Sequence, residues 1–272
     1  MPFQINKETQ LCISIASRPG NFGATVHNAA FQATGLNYCY MPFSVSSLEN
    51  AIKGIKGLNI RGCGVSMPYK LKVISLLDEI DSDVKEIGSV NTIVNTNGIL
   101  KGCNTDYYGV CKALENLNIQ SKHTILLVGA GGIAKAIIYA LTKKGFKKIK
   151  IANRTNKKAK DIAHKYSIDF IDFKQINLLP FDLLINATSV GMFPNKEDCI
   201  FEETQIKRAK FIIDVPTNPL ETELCKIARS FDCKVIPGHF ISLYQAAKQF
   251  ELYTGHVPPL ETMHEALKNI VQ

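Results

Sequence analysis

The sequence predicts an α/β fold in two domains, an N-terminal α/β domain with a mainly parallel sheet and a second, Rossmann-like domain. Three observations carry that expectation. At 272 residues the chain exceeds a typical single domain. Short apolar runs of strand length alternate with helical patterns along nearly all of it, as in sheets whose parallel strands are joined by helices. A glycine cluster, Gly129-Ala130-Gly131-Gly132-Ile133-Ala134, falls mid-chain, directly after an apolar run and before a helical one.

In chain order, residues 11–15, 38–42, 62–66 and 90–95 read as strands, with helical patterns at 24–33, 45–57 and 71–77. A helical run at 107–117 leads to the strand at 124–128, the glycine cluster and a helix at 133–144. Further strands are expected at 147–152, 183–186, 211–215 and 234–236, and closing helices at 240–253 and 259–271. We therefore expect a substrate-binding and catalytic domain over 1–106 and the Rossmann-like domain over 107–245. Residues 246–272 are expected to pack back on the first domain, with an active cleft between the two.

The glycine cluster has the spacing of a dinucleotide-binding turn. Gly129 suits the sharp strand-to-helix turn and Gly131 lets backbone approach a pyrophosphate. Ala134 is small enough for helix and sheet to pack closely. The unpaired N–H groups at the helix start favour an anion. An NAD site usually carries an acidic residue about 20 residues on, bonded to the ribose 2′-hydroxyl. This chain has Asn153-Arg154-Thr155 there, followed by Lys157 and Lys158. A guanidinium pairs with a 2′-phosphate that an aspartate would repel, so the expected cofactor is NADP. Lysines in a first helical turn oppose the helix dipole, and an anion nearby accounts for them better than a merely solvated helix start.

Composition narrows the classes further. The first ten residues are polar, without the apolar core of a signal peptide, and no apolar run is long enough to span a bilayer, so a cytoplasmic protein with no membrane partner is expected. The eight cysteines are scattered with no C-x-x-C pair and read as reduced thiols. The six histidines show no ligand spacing, and no metal site is expected. The net charge of +8 is concentrated around residues 143–160 without interleaved aromatics other than Phe146. Attraction of an anionic dinucleotide explains it more simply than nucleic acid does.

Three further stretches hold residues suited to chemistry. In Ser66-Met67-Pro68-Tyr69-Lys70, Pro68 suits a helix start. Lys70 then falls in the first turn, where the helix field makes an ammonium proton easier to release. An exposed surface lysine is the plain alternative. Asp106, in Asn104-Thr105-Asp106, is either an ordinary N-cap for the helix that follows or a functional carboxylate. Asn91, between apolar neighbours in Ser89-Val90-Asn91-Thr92-Ile93, is either a structural amide or a partner for a substrate hydroxyl.

Together with His27-Asn28-Ala29-Ala30-Phe31, Asn186-Ala187-Thr188-Ser189-Val190-Gly191-Met192 and Gln245-Ala246, these stretches resemble the shikimate dehydrogenase family in order and spacing over nearly the full length. The resemblance implies reversible hydride transfer between NADP(H) and shikimate, giving 3-dehydroshikimate, a step toward chorismate and the aromatic amino acids. It implies that Lys70 and Asp106 form the catalytic pair, that Asn91 and Gln245 hold ring hydroxyls, and that Ser66 lies against the substrate. Thr188, Met192 and Gly238 would line the nicotinamide side, with Asn153, Arg154, Thr155 and Lys158 around the adenosine phosphate. A small-molecule substrate is implied; monomer and homodimer both fit.

The chain departs from the family pattern on the substrate side. The two serines that usually hold the shikimate carboxylate fall at Asn21 and Gly23, a usual asparagine is Gly64, a threonine is Ser66 and a tyrosine is Thr217. This resembles the divergent, shikimate dehydrogenase-like branch. Asn21 still offers one donor to a carboxylate, but losing a hydroxyl bond to a charge costs about 1.5–3 kcal/mol. Weak shikimate turnover is expected, or preference for quinate or another cyclic hydroxy acid. A non-catalytic NADP-binding regulatory protein is the alternative from a different class.

Overall fold

The computed structural model describes residues 5–268. The chain divides into two compact units, Met1–Tyr108 with Leu243–Gln272, and Gly109–Ser242.

The first unit begins with β1 (Gln10–Ala16), α1 (Phe22–Thr34), β2 (Tyr38–Ser44), α2 (Leu48–Gly57), β3 (Gly62–Val65), β4 (Glu79–Ile80), α3 (Ser82–Ile87), β5 (Thr92–Thr96), β6 (Ile99–Cys103) and the start of α4 (Thr105–Leu117). Its sheet runs β2-β1-β3-β5-β6-β4. β1 pairs parallel with β2 and β3, and β4 with β6. β5 is antiparallel to both neighbours, so the sheet is mainly parallel with a hairpin set into it. The hairpin is a local effect. Asn97 and Gly98 both take positive φ, 53° and 83°, as a two-residue turn of type I′ requires.

On one sheet face, Ile15, Val65, Ile93 and Leu100 pack with Leu48, Ile52 and Ile55. Those three sit at i, i+4 and i+7, one face of α2. That helix starts at Leu48 rather than 45 because the Ser47 side chain caps it, accepting from the Asn50 N–H. Residues 71–77, expected as a helix, form a short 3-10 helix, Lys72–Leu76.

The second unit contains β7 (Ile125–Val128), α5 (Gly132–Lys143), β8 (Ile149–Ala152), α6 (Asn156–Tyr166), β9 (Asp169–Phe170), β10 (Leu183–Asn186), α7 (Glu203–Ile206), β11 (Phe211–Asp214), α8 (Glu223–Ser230) and β12 (Lys234–Pro237). All its pairings are parallel, in the order β12-β11-β10-β7-β8-β9. This is the doubly wound order, whose switch point lies between β7 and β10. Both strands are buried at every residue, which is why they read as apolar runs, broken only by Asn186 at the end of β10.

The chain ends with α9 (Gly238–Thr254) and α10 (Leu260–Lys268). Within the first unit, Phe250 stacks on Phe31 of α1 at 5.5 Å. The Tyr253 ring sits so close over Gly62 that any side chain there would collide with it. The last helix was expected to reach 271; residues 269–271 lie outside the described residues.

Candidate active site

A cavity of about 190 Å³, the scale of a small ring compound, opens in the first unit at the carboxyl ends of β1 and β3. Parallel strands commonly present ligand sites at those ends. Lys70 and Asp106 both line it, 36 residues apart in sequence, with Nζ and Oδ2 at 2.5 Å. Backbone bonds bring them there. Val65 N–H donates to the Asn91 carbonyl and Val90 N–H to the Lys70 carbonyl, lacing the 65–70 segment to 90–91. Asn91 N–H in turn donates to Cys103, next to the start of α4.

Two local expectations need correction. Lys70 lies in a turn ahead of the 3-10 helix and not in the first turn of an α-helix, so the expected helix start at its own position is absent; what stands beside it is a carboxylate. Asp106 is not the N-cap either. α4 starts at Thr105, and Asn104 caps it by accepting from the Tyr107 N–H at 3.0 Å. The aspartate is thereby freed from backbone duty, and its second oxygen accepts from Asn91 Nδ2 at 2.8 Å.

Asn91 is 3% exposed. Its carbonyl oxygen is taken up by the Thr105 N–H (2.7 Å) and the Thr92 and Thr105 hydroxyls (2.9 and 3.2 Å). The amide is locked in orientation, with one N–H committed to Asp106. Gln245 lines the cavity and donates to the Thr105 hydroxyl at 3.2 Å, and Ser66 lines it from the end of β3. Asn21, expected as a substrate contact, is exposed at the start of α1 and is not among the lining residues; Arg18, Pro19 and Gly20 of the preceding loop are, as is Gly23 in the first turn of α1.

The sequence reading missed Gln249 and Tyr40. Gln249 follows Gln245 by one helical turn, which places both on one face of α9, a signal that was available. Its amide N–H groups reach the Thr92 hydroxyl (2.9 Å) and the Asn91 carbonyl (3.3 Å), and its oxygen accepts from His27 Nε2 (3.3 Å). His27 is fully buried, stacked on Tyr40 at 4.6 Å, with Nδ1 unpartnered. Burial pushes its pKa down to about 4, against the pull of the Gln249 bond, so the ring is neutral near pH 7. Tyr40 fills the floor beneath Gly23 and Gly64. A Cβ at those positions would stand 2.9 Å from its ring and 2.8 Å from its hydroxyl.

In the second unit the glycine loop joins β7 to α5. Gly129 has φ 130°, and a Cβ on it would lie 2.5 Å from the Ala187 carbonyl oxygen. Only glycine fits that turn. Gly131, the N-cap, makes no side-chain cap, and the space around it is open. Ala134 is fully buried against the sheet, while Ala130, Gly132 and Ile133 are half-buried around the turn. The first N–H groups of α5 lack intrahelical acceptors, and no acidic side chain stands in its first turn. At the end of β8, Asn153 braces the next turn by donating to the Thr155 carbonyl at 3.0 Å. Arg154, Lys157 and Lys158 follow there, exposed and without an ion-pair partner among the described residues.

Across the switch point, Asn186 Oδ1 accepts from the Thr188 N–H (3.0 Å) and hydroxyl (2.6 Å), while its amide donates to Asp214 (2.7 Å). Met192 is half-buried in the same loop. Burial pushes the Asp214 carboxyl up to about 6, opposed by bonds from Thr222, Asn186 and Cys225. Gly238 is buried where the Val215 and Pro216 carbonyls leave no space for a Cβ, so close packing requires a glycine there. An open glycine turn, an uncapped helix start and three unpaired cations fit a phosphate-bearing dinucleotide. No cluster of His, Cys, Asp and Glu among the described residues could hold a metal, and no described helix is long and apolar enough to cross a membrane.

Models of three families match this chain: the shikimate dehydrogenase substrate binding domain over residues 22–93, shikimate / quinate 5-dehydrogenase over 112–228, and the shikimate 5′-dehydrogenase C-terminal domain over 242–268. A shikimate dehydrogenase-like protein of Haemophilus influenzae is 40% identical over 96% of this chain and 97% of its own length. A shikimate dehydrogenase (NADP(+)) of Alkaliphilus oremlandii is 38% identical over 98% and 99%. The solved structure of a shikimate dehydrogenase in complex with NADP+ superimposes with a TM-score of 0.92 at 35% identity, covering 99% of this chain and 98% of that one.

Proposed function

The chain belongs to the shikimate dehydrogenase family, and from that premise we infer that Lys70 and Asp106 carry the proton chemistry of its reaction. The protein is an NADP-dependent oxidoreductase acting on CH–OH donors, of the type that interconverts shikimate and 3-dehydroshikimate. NADP, when bound, takes up or returns the hydride. Gly129 to Ala134 and the start of α5 would hold its pyrophosphate, and Asn153, Arg154, Thr155 and Lys158 its adenosine phosphate. Thr188, Met192 and Gly238 are assigned to the nicotinamide side.

The remaining work falls to the first unit. In the oxidising direction Lys70, as the neutral amine, accepts the hydroxyl proton while the ring carbon loses hydride. In the reducing direction its ammonium hydrogen-bonds the ketone oxygen, offsets the charge that develops there and delivers the proton. Asp106 holds the amine in place, and Asn91 holds Asp106. The 2.5 Å Lys70–Asp106 contact, lining a cavity of small-molecule size, is the observation that supports this reading most. Asn91, Gln245 and Ser66 would then face the ring hydroxyls.

Shikimate-dependent reduction of NADP+ tests it. We expect Lys70→Ala to lower kcat by about 10²–10⁴-fold, the usual span of a general acid–base, and Asp106→Asn to fall between it and the wild type. Full kcat in Lys70→Ala, or no turnover of shikimate, quinate or aminoshikimate by the wild type, would count against it.

A further inference from the structure

We propose that Arg18 is the residue that binds the substrate's carboxylate, and so selects acids over neutral polyols. The inference rests on the cavity's reading as the site of a cyclic hydroxy acid. Arg18 lies in the loop between β1 and α1 and lines the same cavity as Lys70, Asp106 and Asn91. No carboxylate among the described residues pairs with it.

The charges of the lining decide the matter. Lys70 and Asp106 neutralise one another at 2.5 Å. Arg18 is the formal charge that remains, and it is positive. An anionic substrate therefore meets one uncompensated cation, and a guanidinium matches a carboxylate with two parallel N–H bonds.

The steric pattern excludes the hydroxyl alternative at the same place. Asn21 does not line the cavity, and Gly23 has no side chain. A serine at 23 would bring its Cβ within 2.9 Å of the Tyr40 ring, and any side chain at 64 would meet the Tyr40 hydroxyl at 2.8 Å. Gly23, Gly64 and Tyr40 thus form one packing unit, in which phenol occupies space that short polar side chains would otherwise need. Among the lining residues, the arginine on the loop is the cation left to meet a carboxylate.

The experiment compares wild type, Arg18→Lys and Arg18→Ala with shikimate and with its neutral methyl ester, by steady-state kinetics and by calorimetric titration of each compound. In Arg18→Ala the KM and Kd for shikimate should rise by about tenfold to a hundredfold, the worth of a charged hydrogen bond. Arg18→Lys should lie between. The methyl ester should bind wild type and Arg18→Ala alike. Unchanged shikimate affinity in Arg18→Ala overturns the proposal, as does an equal loss for acid and ester, which would mark a structural role. If the wild type binds shikimate without turning it over, the catalytic reading fails while the titrations still decide on Arg18. If it does neither, both fail.

Discussion

A single buried imidazole, packed behind the cavity-lining Tyr40 and Gln249, sets a pH limit on the fold. His27 is neutral in the fold, with its pKa held to about 4 against an ordinary 6.5. In the unfolded chain it takes a proton at the ordinary value. Folding stability from this residue is therefore complete above about pH 6.5 and is lost as pH falls toward 4, by about 3 kcal/mol at one pKa unit per 1.4 kcal/mol. Urea midpoints of wild type and His27→Gln, measured at steps from neutral to acid pH, check this: the gap between them should shrink in that window, and parallel slopes would contradict it. Asp106 shows the limit of reading single residues. An aspartate ahead of a helical pattern reads as a cap, yet Asn104, two residues earlier, takes the cap and leaves the carboxylate to Lys70 and Asn91. A two-residue uncertainty in a helix start is enough to reverse a residue's role.

At the scale of elements, the β7–turn–α5 unit was the most legible part of the chain. Its geometry is local: a strand, a turn that only glycine can make and a helix with a small residue facing the sheet all lie within a dozen residues. The β5–β6 hairpin was equally local, signalled by Asn97-Gly98, but the alternating pattern drew attention to parallel strands instead. β4 and β9 are two residues each and carry no periodicity to read. The turn from β8 to α6 makes a prediction of its own. Arg154, Lys157 and Lys158 have no ion-pair partner among the described residues, and they are the cations proposed to take the 2′-phosphate at the start of α6. Arg154→Ala should raise the KM for NADP+ by about tenfold to a hundredfold, as expected for one lost charge-assisted bond, and change that for NAD+ little. Equal effects on both cofactors would sink the phosphate assignment.

For the molecule as a whole, composition pointed to reduced thiols, and all eight cysteines are free. Burial pushes the thiols of Cys12 and Cys63 well up, and those of Cys103 and Cys225 to about 11. They remain protonated and unreactive at neutral pH. A reductant should accordingly leave the Tm unchanged, whereas a fall in Tm on its addition would reveal a cross-link. The concentration of positive charge around 143–160 includes the start of α6, the segment assigned to the adenosine phosphate.

The sequence by itself determined the fold class, with a Rossmann-like second unit, and the family, because these follow from periodicity, turn chemistry and the order of short motifs along the chain. It also singled out Lys70 and Asp106, though the local reasons it offered for them did not hold. Tertiary structure alone decided what surrounds the pair. Gln249 meets His27 across 222 residues, and Tyr40 fills the space against Gly23 and Gly64. Arg18 enters the cavity in place of Asn21. Such contacts join distant segments through packing, and no local pattern encodes them, since each partner is ordinary in its own stretch of chain and acquires its role only from what the sheet brings beside it.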